Sequence, residues 1–312
     1  MYNILHKYKR TLFFIVKLII VFGAFYFIYQ KLMNNGLLTI GELKLQVSVL
    51  WTHSAWMLLL LLLLTDLNWL LEIVKWQNLA SVEKKITFFE AYEQCFASLT
   101  TSMITPNRIG EYGAKALFYK VPNRKNIMGL NLLGNLNQLV TTSFFGVIGL
   151  VFFLINFKVQ TPKIKIQYSL IFVIIIVLVI LFIRNDNFKK AKLFLRQISK
   201  KTYFLTLALA VFRYLVFTHQ FYFLIILFEL NVDYFTAMCL IFSTYFMASV
   251  LPSLTIFDWV IKGSVAIFVF GFVEVNELTI VTITTFMYLL NFAIPAIIGS
   301  IFVFNYKPIS NK

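Results

Sequence analysis

Acids, histidines and cysteines are scarce in this chain, and each scarcity removes a class of chemistry. Three histidines, His6, His53 and His219, are scattered far apart and no HExxH pattern accompanies them, which argues against a metal site. Two cysteines, Cys95 and Cys239, sit in separate apolar segments, so no disulfide framework is expected. There is no GxGxxG, P-loop or GxSxG motif, so nucleotide and hydrolase chemistry are disfavoured and no cofactor is expected. Charged residues make up 13% of the chain, where soluble domains carry roughly a quarter. The imbalance of 28 Lys and Arg against 13 Asp and Glu gives a net charge of +15. Those bases fall between apolar runs rather than on one basic face, which marks them as topology signals and excludes nucleic acid as a partner.

What fills the chain instead is apolar, at 60% hydrophobic and 18% aromatic. The long runs match the roughly 20 residues of a spanning helix, and none shows the alternating segments of about ten residues found in barrels. The expected fold class is therefore an all-α integral membrane protein, a single polytopic domain over 1–312. Six full spans are drawn at approximately Thr11–Tyr29, Thr52–Val74, Ile127–Leu154, Gln167–Ile183, Tyr203–Phe228 and Leu278–Phe304. The first follows Lys7, Lys9 and Arg10 as a signal peptide would, but Gln30–Asn35 offers no small-residue cleavage site, so it is read as retained.

Bases cluster at Lys7–Arg10, Lys75–Lys85, Lys120–Lys125, Arg184–Lys201 and Lys307–Lys312, with fewer in the alternate segments, at Lys31, Lys44, Lys158, Lys163 and Lys165. This bias places both termini in the cytoplasm, and the expected location is a bacterial inner (cytoplasmic) membrane. Arg184–Tyr203 reads either as an interfacial helix on the anionic leaflet or as a basic connector that only fixes topology.

Two segments, about 88–120 and 236–272, are too long and too polar in the middle for one span, while their halves are too short for two. They read as re-entrant hairpins or broken-helix pairs. Each is interrupted by a proline, Pro106 or Pro252, and then carries an acid four residues before a lysine: Glu111 and Lys115, then Asp258 and Lys262. The second copy follows the first by 147 residues at both positions. The order span, span, hairpin, span thus occurs twice, in halves of about 1–156 and 157–312. The topology makes the halves inverted, and paired interrupted segments of this kind point to the site of a transporter.

A charge at mid-span costs about 2.5–3.5 kcal/mol on the insertion scale, so intramembrane ionisable residues are candidates for function. They are Asp66, Glu72, Glu93, Arg108, Glu111, Lys115, Arg213, Asp258 and Lys262, with Glu72 and Glu93 placed either inside or nearer an interface. Pro106 leaves a carbonyl unpaired and Gly110 and Gly113 permit close backbone approach, so a helix start beside Arg108 would seat a phosphate. The other reading of Arg108 is a structural salt bridge to Glu111. Asn131, Asn135, Gln138 and Thr142 share one helix face, as do Thr284, Tyr288, Asn291 and Pro295. Each stripe either lines a polar groove or bonds helices together. His219 is expected to be a hydrogen-bonded core residue rather than a ligand.

At TPNRIGEYG the chain resembles the transmembrane, flippase-like region of the lysylphosphatidylglycerol synthase family. Pro106, Arg108, Ile109, Gly110 and Glu111 match that family's first motif, with Asn107 in place of a glycine. Its second motif is met by Pro252 and Lys262, while Ser253–Val260 lacks the glycines and Gly263 replaces an acid. The resemblance covers nearly the whole chain and implies lipid translocation or binding. The family's soluble transferase domain has no counterpart before Lys312, so aminoacyl transfer is not expected of this polypeptide.

These readings converge on a flippase-like transporter that binds or moves an anionic or amphipathic phospholipid between leaflets. Arg108 would contact phosphate, Lys115 and Lys262 would add positive field, and Glu111 and Asp258 would hold the bases. Asn131, Asn135 and Gln138 would meet the head group, with Asp66 and Arg213 as candidates for ion or proton coupling. The expected partners are membrane lipids. The alternatives are a lipid-modifying or polyprenyl-linked glycosyltransferase enzyme and a non-transporting scaffold for a separate transferase.

Overall fold

The computed structural model describes residues 55–103, 105, 108–157, 194, 198–250 and 258–307. Among them every regular element is helical. Four long helices are apolar enough to cross a membrane: α1 (Ala55–Ala80), α4 (Arg124–Asn156), α5 (Lys200–Leu227) and the continuous pair α8 (Glu277–Tyr288) and α9 (Ile294–Asn305). They coincide with four of the six expected spans. The other two expected spans, Thr11–Tyr29 and Gln167–Ile183, lie outside the described residues, as do Pro106 and Pro252.

Both interrupted segments are pairs of short helices. The first is α2 (Phe88–Met103) and α3 (Ile109–Leu117), the second α6 (Tyr234–Val250) and α7 (Asp258–Phe270). At 16, 9, 17 and 13 residues, each falls short of the roughly 20 that span a bilayer. Short polar residues start the helices by accepting backbone N–H groups that have no intrahelical partner. Thr87 and Glu90 form a reciprocal capping box, with the Thr87 amide donating to Glu90 Oε2 at 2.6 Å and the Glu90 amide donating to Thr87 Oγ1 at 3.2 Å. Asp233 Oδ2 accepts from the Thr236 amide at 3.0 Å at the corresponding end of α6.

The register of 147 seen in the sequence recurs in the helix bounds. Shifting Ala55–Ala80 by that amount gives 202–227, against Lys200–Leu227, and shifting Phe88–Met103 gives 235–250, against Tyr234–Val250. Packing follows the same pattern. In the first half α2 packs on α9 of the second, and in the second half α6 packs on α4 of the first, while α1 and α5 pack directly on each other. Two apolar clusters result, one around Trp76, Phe96 and Leu130, the other around Phe221, Ile241 and Phe270.

Lipid is as apolar as these side chains, so close packing rather than water exclusion must hold the helices together. Glycine makes the two exchanged crossings close. A Cβ at Gly299 would lie 2.2 Å from the Phe96 carbonyl oxygen of α2, and one at Gly149 would lie 2.5 Å from the Cys239 carbonyl oxygen of α6. Leu59, Leu63 and Leu70 of α1, by contrast, remain exposed, as a lipid-facing surface requires.

Two outcomes follow. Gly299→Ala or Gly149→Ala forces backbones apart and should each cost about 1–3 kcal/mol, read from unfolding in detergent. Thr87→Ala should cost about 1 kcal/mol through loss of the cap. The Thr87 amide also holds the Glu90 carboxyl below its ordinary 4.5, so its contribution is complete above that pH and is lost as pH falls through the depressed folded value. The stability gap between the native chain and Glu90→Gln should therefore close below pH 4.5.

Candidate functional site

Where the two halves meet, the helices enclose a cavity of about 540 Å³. Of the residues expected to form a site, Arg108, Glu111, Lys115, Asn135, Gln138, Arg213 and Lys262 line it. Asn131 stands behind the wall and accepts a hydrogen bond from Lys115 Nζ at 2.8 Å. Asp66 lies elsewhere, exposed on α1 and absent from the lining. The Asp258 side chain is outside what the structure describes, although its backbone begins α7.

The spacing of four residues in α3 produces the expected pair, Lys115 Nζ to Glu111 Oε1 at 3.0 Å. Lys115 is 2% exposed and also sits over the Trp76 ring, 4.3 Å from its centroid. Trp76 is held in turn by its indole N–H, which donates to Gln94 Oε1, an atom that also accepts from the Tyr119 hydroxyl. With a carboxylate, an amide oxygen and an indole face around it, this ammonium is bound by protein and acts on the cavity through its field.

A second charged group was less legible in the sequence. Lys75, placed there among connector bases, is inside α1 because the helix continues to Ala80, and it is only 2% exposed. Glu72 lies one turn before it and is buried among the helices. Its Oε2 receives Lys75 Nζ at 2.5 Å and Arg213 Nη1 of α5 at 2.8 Å. The Glu72–Lys75 spacing of three was a usable signal, since it puts opposite charges on one helix face inside an apolar run.

Above this group, amides tie three elements together. Asn68 of α1 donates to Asn291 Oδ1 at 2.9 Å, and Asn291 donates to Gln220 Oε1 of α5 at 2.8 Å. Gln220 donates to Thr65 Oγ1 at 2.7 Å. Asn291 and Phe292 fall in Leu289–Ala293, where the helix widens by one residue per turn. Pro295 supplies the reason: it has no N–H to offer the Asn291 carbonyl four residues back. Of the second polar stripe, Asn291 lines the main cavity, whereas Thr284 and Tyr288 line a narrow apolar extension of about 40 Å³. His219 is hydrogen-bonded to the Leu215 carbonyl and the Tyr234 hydroxyl, at 2.8 and 2.9 Å.

Arg108 and Lys262 stand at the junction of cavity and extension, which share these two residues with Phe217, Tyr245 and Phe292. Arg108 comes from the first half and Lys262 from the second, yet both lie on the Phe292 ring, 4.8 and 5.3 Å from its centroid. Arg108 caps α3 with φ 57° and ψ 26°, a left-handed conformation that costs a side-chain-bearing residue about 1–2 kcal/mol. Strain of this kind persists where surrounding structure imposes it, often at binding sites. Of the two neighbouring glycines, Gly113 faces open space, whereas Gly110 does not open the backbone to a ligand as expected. The Gly110 amide donates to Thr105 Oγ1 at 2.8 Å, and a Cβ at Gly110 would lie 2.5 Å from the Thr101 carbonyl oxygen, so this glycine seats α3 against α2.

No protein-family model, curated protein or solved structure matches this chain. The site's chemistry is therefore read from its own residues. Among the described lining residues, Arg108, Lys115, Arg213 and Lys262 face Glu72 and Glu111, and the groups between them are amides, hydroxyls and aromatic rings. Such a set offers positive charge together with neutral hydrogen-bonding groups. Among the described residues no cluster of His, Cys, Asp or Glu suits a metal ion.

Removing one member of the Glu72 group tests its role. Glu72→Gln strands a buried ammonium and should cost about 3–5 kcal/mol, measured by thermal unfolding in detergent. Glu72→Gln combined with Lys75→Met should recover a large part of that loss.

Proposed function

We propose that this membrane-embedded protein binds the phosphorylated head group of an anionic lipid and passes it between leaflets. The observation that carries the reading is the meeting of Arg108 and Lys262, one from each half, over Phe292 at the mouth of an apolar slot. A planar guanidinium can grip two phosphate oxygens while an ammonium contributes charge from the other side. The extension lined by Phe217, Phe221, Met287 and Phe292 suits the start of an acyl chain. The resemblance of Pro106–Glu111 to the flippase-like region of lysylphosphatidylglycerol synthases supports the same function.

The two broken pairs act as re-entrant segments from opposite membrane faces, and the halves form an inverted repeat about an axis in the membrane plane. The shared register of 147 and the exchange of α2 and α6 between halves support that relation. Rocking of one half against the other would open the Arg108–Lys262 mouth to each leaflet in turn. The membrane is the bacterial cytoplasmic membrane, with both termini inside.

Arg108→Lys keeps the charge and loses the fork. In liposomes containing the purified variant, anionic-lipid flipping should fall about tenfold while thermal stability stays near that of the native chain. Flipping that is absent from the native protein would remove transport. Unchanged flipping in Arg108→Lys would remove the phosphate contact.

A further inference from the structure

One face of α1 carries a charge that no described residue answers. Leu59, Leu63, Asp66 and Leu70 follow at intervals of four, three and four residues, which puts them on one side of the helix, and all four are exposed. At about 1.5 Å per residue, Asp66 stands roughly 17 Å from the start of α1 and roughly 21 Å from its end, well inside a membrane-crossing helix. It makes no hydrogen bond or ion pair with another described residue. The described cations around the cavity are engaged elsewhere: Lys75 and Arg213 by Glu72, Lys115 by Glu111, and Arg108 and Lys262 over Phe292. A carboxylate turned toward hydrocarbon is costly, and intramembrane charges are found paired.

A surface of leucines suits lipid and an apolar helix alike, so the carboxylate among them decides what covers this face. The candidates are the two apolar runs outside the described residues and a second copy of the chain. A second copy meeting this face across a two-fold axis would set one Asp66 against the other. Gln167–Ile183 contains no charged residue, whereas Thr11–Tyr29 contains one, Lys17. Depth agrees as well. Lys17 comes about 9 Å along a helix from Thr11, and Asp66 about 12 Å before Val74, where the second expected span ends, a difference the lysine stem can cover. The two runs are also consecutive in the chain, and consecutive elements usually lie side by side.

We infer that the open face of α1 is the seat of Thr11–Tyr29, held there by an ion pair between Lys17 and Asp66 inside the membrane. Asp66 is then a structural partner rather than a coupling group. This pairing stands independently of what the cavity carries.

The test uses the full chain. Ile20→Cys with Leu63→Cys, one turn from the ion pair in an antiparallel register, should form a disulfide within one chain when membranes are mildly oxidised. It is read as fragments that stay joined after cleavage at a protease site inserted between residues 30 and 51. Phe13→Cys with Leu63→Cys, two turns out of register, should not join them. In the purified protein Lys17→Gln and Asp66→Asn should each lower the thermal midpoint by several degrees, and the double variant should lose no more than either alone. Lys17→Asp combined with Asp66→Lys should regain most of the loss. A disulfide between two chains in Leu63→Cys alone shows that a second copy covers the face and overturns the inference. Absence of the Ile20–Leu63 link, losses that add in the double variant, or an Asp66→Asn midpoint at or above the native value also overturns it.

Discussion

The rest of the structure depends on a carboxylate that apolar surroundings cannot tolerate alone. Glu72 is buried in a long apolar helix and is paired with Lys75 on its own helix and Arg213 on α5. A buried group of this kind seldom adds net stability, because desolvation consumes most of the Coulomb gain. Its effect is one of specification: α1 and α5 have one register in which three charges are matched. Since α1 belongs to the first half and α5 to the second, that register fixes how the halves meet. The amide chain from Asn68 through Asn291 to Gln220 imposes the same register through hydrogen bonds.

Once α1 and α5 are fixed, the broken helices can deliver charge to the space between them. A continuous helix would bury its backbone groups in its own hydrogen bonds and leave no free end at that depth. Arg108 at the start of α3 and Lys262 within α7 instead meet on one aromatic ring. The widened turn at Leu289–Ala293 completes the arrangement, since a regular helix there would carry Phe292 and Asn291 to different bearings. Irregular backbone and left-handed φ at Arg108 thus coincide with the place where charged side chains of the two halves meet, a costly geometry held by its surroundings.

The cavity couples this polar centre to an apolar slot, and the pairing is what an amphipathic molecule requires. Positive field from Lys115 reaches the cavity although its ammonium is fully engaged by Glu111, Asn131 and Trp76. Arg213 stands closer to the space, at 25% side-chain exposure, with one nitrogen held by Glu72. The charged groups therefore differ in how closely they border the cavity.

Local rules sufficed for much of this. Apolar run length located four long helices and two stretches that hold shorter ones, and the interval of four residues joined Glu111 to Lys115, because helix geometry is set by neighbours in sequence. The same rules placed Lys75 outside the span and left Glu72 between membrane and interface, because a window of hydropathy cannot register that Arg213, far along the chain, will arrive to compensate the charge. They also assigned Gly110 to ligand approach, whereas its contact with Thr101 comes from how α3 folds back on α2. Asp66 and Arg213 occupy matching places in the two halves of the sequence, yet one faces outward and the other the cavity. Helix positions can thus be read from local composition, whereas which charges meet cannot, because that depends on helix rotation and approach across more than a hundred residues.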